Sequence, residues 1–211
     1  MQAQTPKPRK TDRRTLYTCN VIKDSLLELL EKDSFDKITV AALCRQAEIT
    51  RATFYSHFSS LNAVLDEVLD DALMVAEMAA REMSTTERMT ALERLIKTGT
   101  ADDLRHHEHL LNPCQRLADN PKYRAIFQDP TLSSYVVQRI YMMERPESVA
   151  YISAHTGLSK TEADRLFMML VYGLFYMNRA LKWSKDDDWY KMQFIVDQFA
   201  FGGWDALSRR K

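Results

Sequence analysis

Residues 50–58 concentrate side chains whose types and spacing suit recognition chemistry. If Phe54 and Phe58, one helical turn apart, face a core, a helical wheel puts Ala52, Thr53, Tyr55 and Ser56 opposite them. Arg51 and His57 then lie on the flanks. This outer face is small, hydroxylated and basic, with no acidic residue within 50–58. Reading base edges in a major groove takes hydrogen-bonding side chains, a methyl-sized contact for thymine, and cations for guanine or phosphate. Thr50, as an N-cap, would also leave helix amides facing a phosphate. A surface helix of chance polarity has the same composition, so this face alone leaves both readings open.

Such a face needs elements to hold it. Val40, Leu43 and Ala47 fall at i, i+3 and i+7 of a short helix over 40–47, which Thr39 can cap. Ile49 plugs the turn before a second short helix over 51–58. These apolar faces cannot bury themselves alone. A helix over 13–32, with Leu16, Val21, Ile22, Leu26, Leu29 and Leu30 at helical spacing, supplies the third wall. The three together make a helix-turn-helix. Ser59 or Ser60 then caps a longer amphipathic helix over 61–83, striped with Val64, Val68, Met74, Val75 and Met78.

The detailed pattern is more specific than the geometry. Ile38-Thr39-Val40, Ala47, Ile49, Thr50-Arg51, Thr53-Phe54-Tyr55 and His57-Phe58 together resemble the DNA-binding domain of the TetR/AcrR family of regulators. One departure is Glu48, where the family commonly has glycine in the turn. A non-glycine residue at positive φ there costs about 1 kcal/mol and implies an altered turn rather than a broken motif. The resemblance implies that Thr39, Tyr55 and His57 contact phosphates, and that Thr50, Arg51, Ala52 and Thr53 are the candidates for base contacts. By analogy with basic arms, Arg13 and Arg14 are expected to reach phosphate or a minor groove. Phe54 and Phe58 are expected to pack in the core rather than intercalate.

The resemblance also implies a double-stranded, palindromic DNA operator, a repressor's role, and a second half that dimerises and binds a small-molecule effector. A protein partner in place of the effector is the alternative. The residues support dimerisation independently. Residues 166–177 are apolar around the whole helix circumference, and the last helix adds Trp189, Phe194, Ile195, Phe199, Phe201 and Trp204. So much apolar surface must be buried on more than one side, which a homodimer through the last two helices would satisfy. Tyr135, Arg139, Tyr141, Met142, Met143, Tyr172 and Tyr176 are the candidates to line an effector pocket, although aromatic and methionine stripes also build ordinary cores.

The expected architecture is all-α: an N-terminal three-helix DNA-binding domain followed by a larger helical dimerisation and effector domain. The expected bounds are a basic tail over 1–12, the DNA-binding domain over 13–60, a linking helix over 61–85, and the helical domain over 86–211. Within the last, helices are expected over 87–110, 121–127, 132–144, 146–155, 160–183 and 187–207. Their punctuation comes from Asn112-Pro113, Asn120-Pro121, Asp129-Pro130, Arg145-Pro146, Gly157 and a Ser159/Glu162 capping box.

Other function classes find little support. The 29 basic and 29 acidic side chains cancel, so any affinity for nucleic acid must be local, as in Lys7, Arg9, Lys10, Arg13 and Arg14 against Asp12 alone. Three scattered cysteines, Cys19, Cys44 and Cys114, fit a reducing cytoplasm. No secretory signal follows the basic start, and the 12-residue apolar run over 166–177 falls short of the about 20 needed to span a bilayer, so a soluble cytoplasmic protein with no membrane partner is expected. His106, His107, His109 and Cys114 are the only concentrated set of metal-type ligands, but Asp102, Asp103, Arg105 and Glu108 beside them favour an exposed polar helix face. No metal, no cofactor and no catalytic residue is expected, because nucleophile elbow, phosphate loop and metalloprotease helix are all missing.

Overall fold

A computed structural model of the chain describes residues 10–78, 83–112, 115–116 and 120–209, with the side chains of 10–12 and 76–78 outside that description. The described residues are helical, with no strand among them. They form two compact units, divided at Asp71 and Ala72.

The first unit contains α1 (Lys10–Leu30), α2 (Val40–Gln46), α3 (Arg51–His57) and the start of α4 (Leu61–Met78). A 3-10 turn, Phe35–Lys37, leads from α1 towards α2. Ile22, Leu26, Leu27 and Leu30 of α1 meet a core that also takes Ile38, Leu43, Ala47, Phe54, Phe58, Val64, Leu65, Val68 and Leu69. Lys23 ties α1 to α4 from the side, with Nζ 2.6 Å from Asp71 and 3.8 Å from Glu67. Leu16, expected on the apolar stripe of α1, is instead 60% exposed, because the core contacts begin more than a turn later at Ile22.

The second unit contains α5 (Thr85–Thr98), α6 (Ala101–His106), α7 (Arg124–Gln128), α8 (Ser133–Thr156), α9 (Lys160–Ala180) and α10 (Asp187–Ser208). A 3-10 turn, Glu108–Leu110, follows α6. The single helix expected over 87–110 is broken at Gly99. There Thr100 starts α6 by accepting from the Asp103 amide, while the Asp103 carboxylate takes the Thr100 amide at 2.8 Å. That capping box outcompetes continuation of the helix. Conversely, Pro146 does not divide 132–155: α8 runs through it, with Pro146 exposed on its outer side. Proline there loses one backbone hydrogen bond. The buried stripe of Val136, Val137, Ile140, Tyr141, Val149 and Ile152 stays on one face across it, so packing favours a single helix. Helix α9 starts at the expected Ser159/Glu162 box. It ends at Ala180, with Lys182, Trp183 and Lys185 at positive φ in the connection to α10.

Residues 166–177, expected to be buried all round, bury one stripe within the chain. Phe167, Val171 and Phe175 are inside, whereas Met168, Met169 and Tyr176 are exposed. Among the described residues, no helix is long and apolar enough to cross a membrane.

Candidate nucleic-acid interface

Local chemistry sets both short helices of the motif. The Thr39 hydroxyl accepts from the Ala42 amide at 3.1 Å and begins α2. The Thr50 hydroxyl accepts from the Thr53 amide at 3.1 Å and begins α3. Between them, Glu48 takes a left-handed conformation at φ 53°. The Glu48 amide bonds the Arg45 carbonyl at 3.3 Å, and the Ile49 amide bonds the Cys44 carbonyl at 3.0 Å. These paired bonds are a Schellman ending, whose left-handed position usually holds glycine. The altered turn expected from Glu48 is therefore an ordinary helix stop carrying a side chain.

Phe54 is wholly buried and Phe58 nearly so, with their rings 6.3 Å apart. Both aromatic rings pack inside, which fixes the rotation of α3. Arg51, Ala52, Tyr55 and Ser56 are exposed on its other side, and Thr53 is half-buried. The hydroxyls of Thr50 and Thr53 lie 2.9 Å apart, forming a coupled donor and acceptor pair at the start of the helix. Tyr55 is 58% exposed and stands edge-on to Phe54, so its phenol points away from the core that anchors its ring. His57 is half-buried, with Nδ1 3.7 Å from the Cys19 sulfur of α1. Thr39 is exposed at the head of α2, and Arg13 and Arg14 are exposed early in α1. Thus α3 brings Thr50, Arg51, Ala52 and Tyr55 onto one surface. Lys7 and Arg9 of the basic tail lie outside the described residues.

Of the residues expected around an effector, Tyr141 and Tyr172 pack together, with their rings 6.3 Å apart. Tyr141 is buried and donates to Asp164 at 2.6 Å, with its ring near Phe167 and Tyr172. Met142 and Tyr176 are exposed, and Met143 lines an open groove between α5 and α8. None of the seven lines the cavity of about 60 Å³ bounded by α5, α8, α9 and α10. Asp197 of α10 does line it, and burial pushes the Asp197 carboxyl up to about 7 against the opposing pull of Arg88. Burial does the same to Glu144 of α8, also to about 7, against Arg88 and Arg116. A signal for both acids was present. Glu144 continues the Ile140 stripe at i+4, and Asp197 lies four residues before buried Phe201.

His106 and His107 each turn Nδ1 back to a carbonyl of their own helix, at 2.8 and 2.7 Å, and with His109 they are exposed. Cys114 lies outside the described residues. A different group gathers elsewhere: Glu93, His155 and Asp205 come together from α5, α8 and α10. The Lys97 ammonium already bridges its two carboxylates at 2.7 and 2.8 Å, making an ion-pair web.

Comparison with known proteins follows the same division. Residues 22–68 match the family model described as bacterial regulatory proteins, tetR family. A Bacillus subtilis (strain 168) protein, described as the uncharacterized HTH-type transcriptional regulator YxbF, is 30% identical over 98 residues. That match covers 43% of this chain and 26% of the relative, so the chain spans about a quarter of the length of this curated relative. Among solved structures, the TetR family repressor AlkX from Dietzia sp. strain DQ12-45-1b, implicated in biodegradation of n-alkanes, aligns at 17% identity with a TM-score of 0.34. That alignment covers 91% of this chain and 94% of the other.

Proposed function

We propose that this chain, whose residues 22–68 match the tetR-family model, regulates transcription by binding a palindromic DNA operator as a homodimer. The observation that carries this reading is the orientation of α3. Burial of Phe54 and Phe58 turns Thr50, Arg51, Ala52 and Tyr55 outward on a surface without acidic residues. Laid in a major groove, Arg51 offers a fork to guanine, Ala52 a methyl contact to thymine, and the threonine hydroxyls adaptable hydrogen bonds. Thr39, Tyr55 and His57 hold the flanking phosphates, and Arg13 and Arg14 add charge beside them. DNA binding is assigned to 13–60, the connection to 61–85, and dimerisation with effector binding to 86–211, behind a basic tail over 1–12.

The dimer is supported by apolar surface left open on the last two helices. Met169 is 55% and Phe199 71% exposed, and the exposed Met168, Tyr176 and Ile195 accompany them. Gly173 of α9 and Gly202 and Gly203 of α10 have nothing within 4 Å of a Cβ position, so another helix could approach closely there. Two copies would present two α3 helices to successive major grooves about 34–36 Å apart. Repression follows if the operator overlaps a promoter. A ligand that binds better to a form with another spacing would release the DNA by population shift.

Selection of bound sequences from random DNA tests the whole reading. A palindrome with half-sites about one helical turn apart is expected. Recovery of no preferred sequence, or of a single unrepeated half-site, would remove the dimeric operator reader.

A further inference from the structure

The second unit holds two adjoining cavities with acidic side chains in their walls. The larger, about 60 Å³, is lined chiefly by apolar side chains such as Leu92, Phe167, Leu170 and Trp204, with Asn112, Ser148, Tyr151 and Asp197 as its polar members. The smaller, about 20 Å³, is lined by Glu144 and Trp183 and shares Asn112, Val171 and Leu174 with the larger. Among the described residues, two carboxyl groups line this pair of spaces, and no lysine or arginine does.

Unsatisfied polar atoms lie in the wall of the smaller space. Among the described residues, neither Glu144 Oε1 nor Trp183 Nε1 has a hydrogen-bond partner. The neighbouring amides are well served. Asn178 Oδ1 accepts from Trp189 at 2.5 Å and from Gln193 at 2.8 Å, and Gln115 bonds Gln193 in turn. A fold able to satisfy that web leaves Glu144 and Trp183 open beside a space. Arg88, whose charge both acids feel, gives its guanidinium to Asn112 Oδ1 at 2.8 Å and lines the open groove, as Glu144 also does on its other side; Arg116 adds a second positive charge near Glu144 but lines neither cavity.

We propose that these cavities bind a small apolar organic cation, its hydrocarbon body among Phe167, Leu170 and Trp204 and its ammonium nitrogen held by Asp197 and Glu144. The proposal rests on reading the second unit as the effector-binding part and names the chemistry of its ligand. An ammonium brings both the charge and the N–H donors that buried carboxyls need in order to ionise. A carboxylate ligand would meet two acids and no lining cation, and a neutral apolar ligand would leave both acids unpaired. Burial already holds the two carboxyls partly protonated at neutral pH, so cation binding draws them towards the ionised form and releases protons.

Calorimetric titration of the full chain with benzylammonium, benzyl alcohol and benzoate compares one ring with three head groups. The ammonium is expected to bind at least about tenfold tighter than the alcohol, with benzoate weakest. Asp197→Asn and Glu144→Gln, each nearly isosteric, should each weaken the ammonium about tenfold and leave the alcohol unchanged. Equal binding of alcohol or benzoate by the wild-type chain, no binding of any probe, or wild-type affinity in both variants overturns the proposal. The wild-type comparison stands even if a variant fails to fold. Repeating the titration with selected DNA separates the two readings. Ammonium binding without any change in DNA affinity removes effector control but keeps the site, whereas DNA release by the alcohol keeps effector control and removes the cation.

Discussion

The Ile49 amide donates to the Cys44 carbonyl at 3.0 Å, closing the end of α2 around the left-handed residue Glu48. That bond sets where α3 begins and hence which side of it faces outward. Glu48 carries a Cβ in a conformation that favours glycine, so the turn stores strain that a smaller residue would relieve. Glu48→Gly is expected to stabilise the chain by about 1 kcal/mol, less the extra flexibility glycine gives the unfolded state. Urea denaturation measures it, and a loss of stability would mean that the Glu48 side chain itself supports the motif.

Outward chemistry and inward packing are separable on α3. Tyr55→Phe combined with His57→Ala should weaken DNA binding while leaving helicity nearly unchanged, because the Phe54 and Phe58 anchors remain. Unaltered affinity at moderate salt would take both side chains out of the interface. Arg51→Ala should cost about 1–3 kcal/mol on the preferred sequence and relax discrimination at one base pair. An equal loss on every sequence would instead make Arg51 a phosphate anchor.

Phe199 and Met169 offer the sharpest test of self-association. Replacing both with glutamate puts charge on surfaces already exposed in one chain, so folding of the protomer should survive. Dimer dissociation is expected to rise at least about thirtyfold if these are anchors of the interface. Sedimentation equilibrium reads this directly. An unchanged dimer would place the interface elsewhere.

The two half-buried acids make a pH prediction with a definite sign. Glu144 and Asp197 titrate near 7 in the folded chain, against ordinary values of 4.5 and 3.8. Between about pH 4 and 7 the folded chain therefore holds protons that the unfolded chain has lost, so these groups' contribution is full below that window and fades as pH rises through it. The double variant Glu144→Gln, Asp197→Asn should equal the wild type near pH 4 and exceed its stability at pH 8 by roughly 1–3 kcal/mol. Parallel pH profiles for the two proteins would show that the acids are solvated or paired in solution.

Local rules account for the first unit almost entirely. Thr39 and Thr50 cap helices through bonds spanning three residues, and the spacing of Leu43, Ala47, Phe54 and Phe58 defines a face without reference to anything distant. The outward set on α3 follows from that face by geometry. Leu16 is the exception, since its spacing places it on the α1 stripe but only packing decides where the core starts.

Tertiary structure decided matters in which local preference and burial compete. Pro146 is a local stop signal, overruled because one continuous stripe of α8 is buried on both sides of it. Gly99 falls inside the helix expected over 87–110, but a Cβ there would lie 2.8 Å from the Leu95 carbonyl, and the Thr100 box restarts the chain as α6. Of the seven residues expected around an effector, none lines the cavity that Asp197 lines, because which faces of α8 and α9 turn towards it is settled by the helices packed against them. Glu144 and Asp197 are visible in sequence as acids in apolar stripes. Only three-dimensional packing reveals that both line adjoining spaces, since burial of a charge depends on neighbours from other helices. By itself, then, the sequence determined the reading head and its caps, whose bonds are local, while the fold determined the continuity of α8 and the acidic cavities, whose contacts are not.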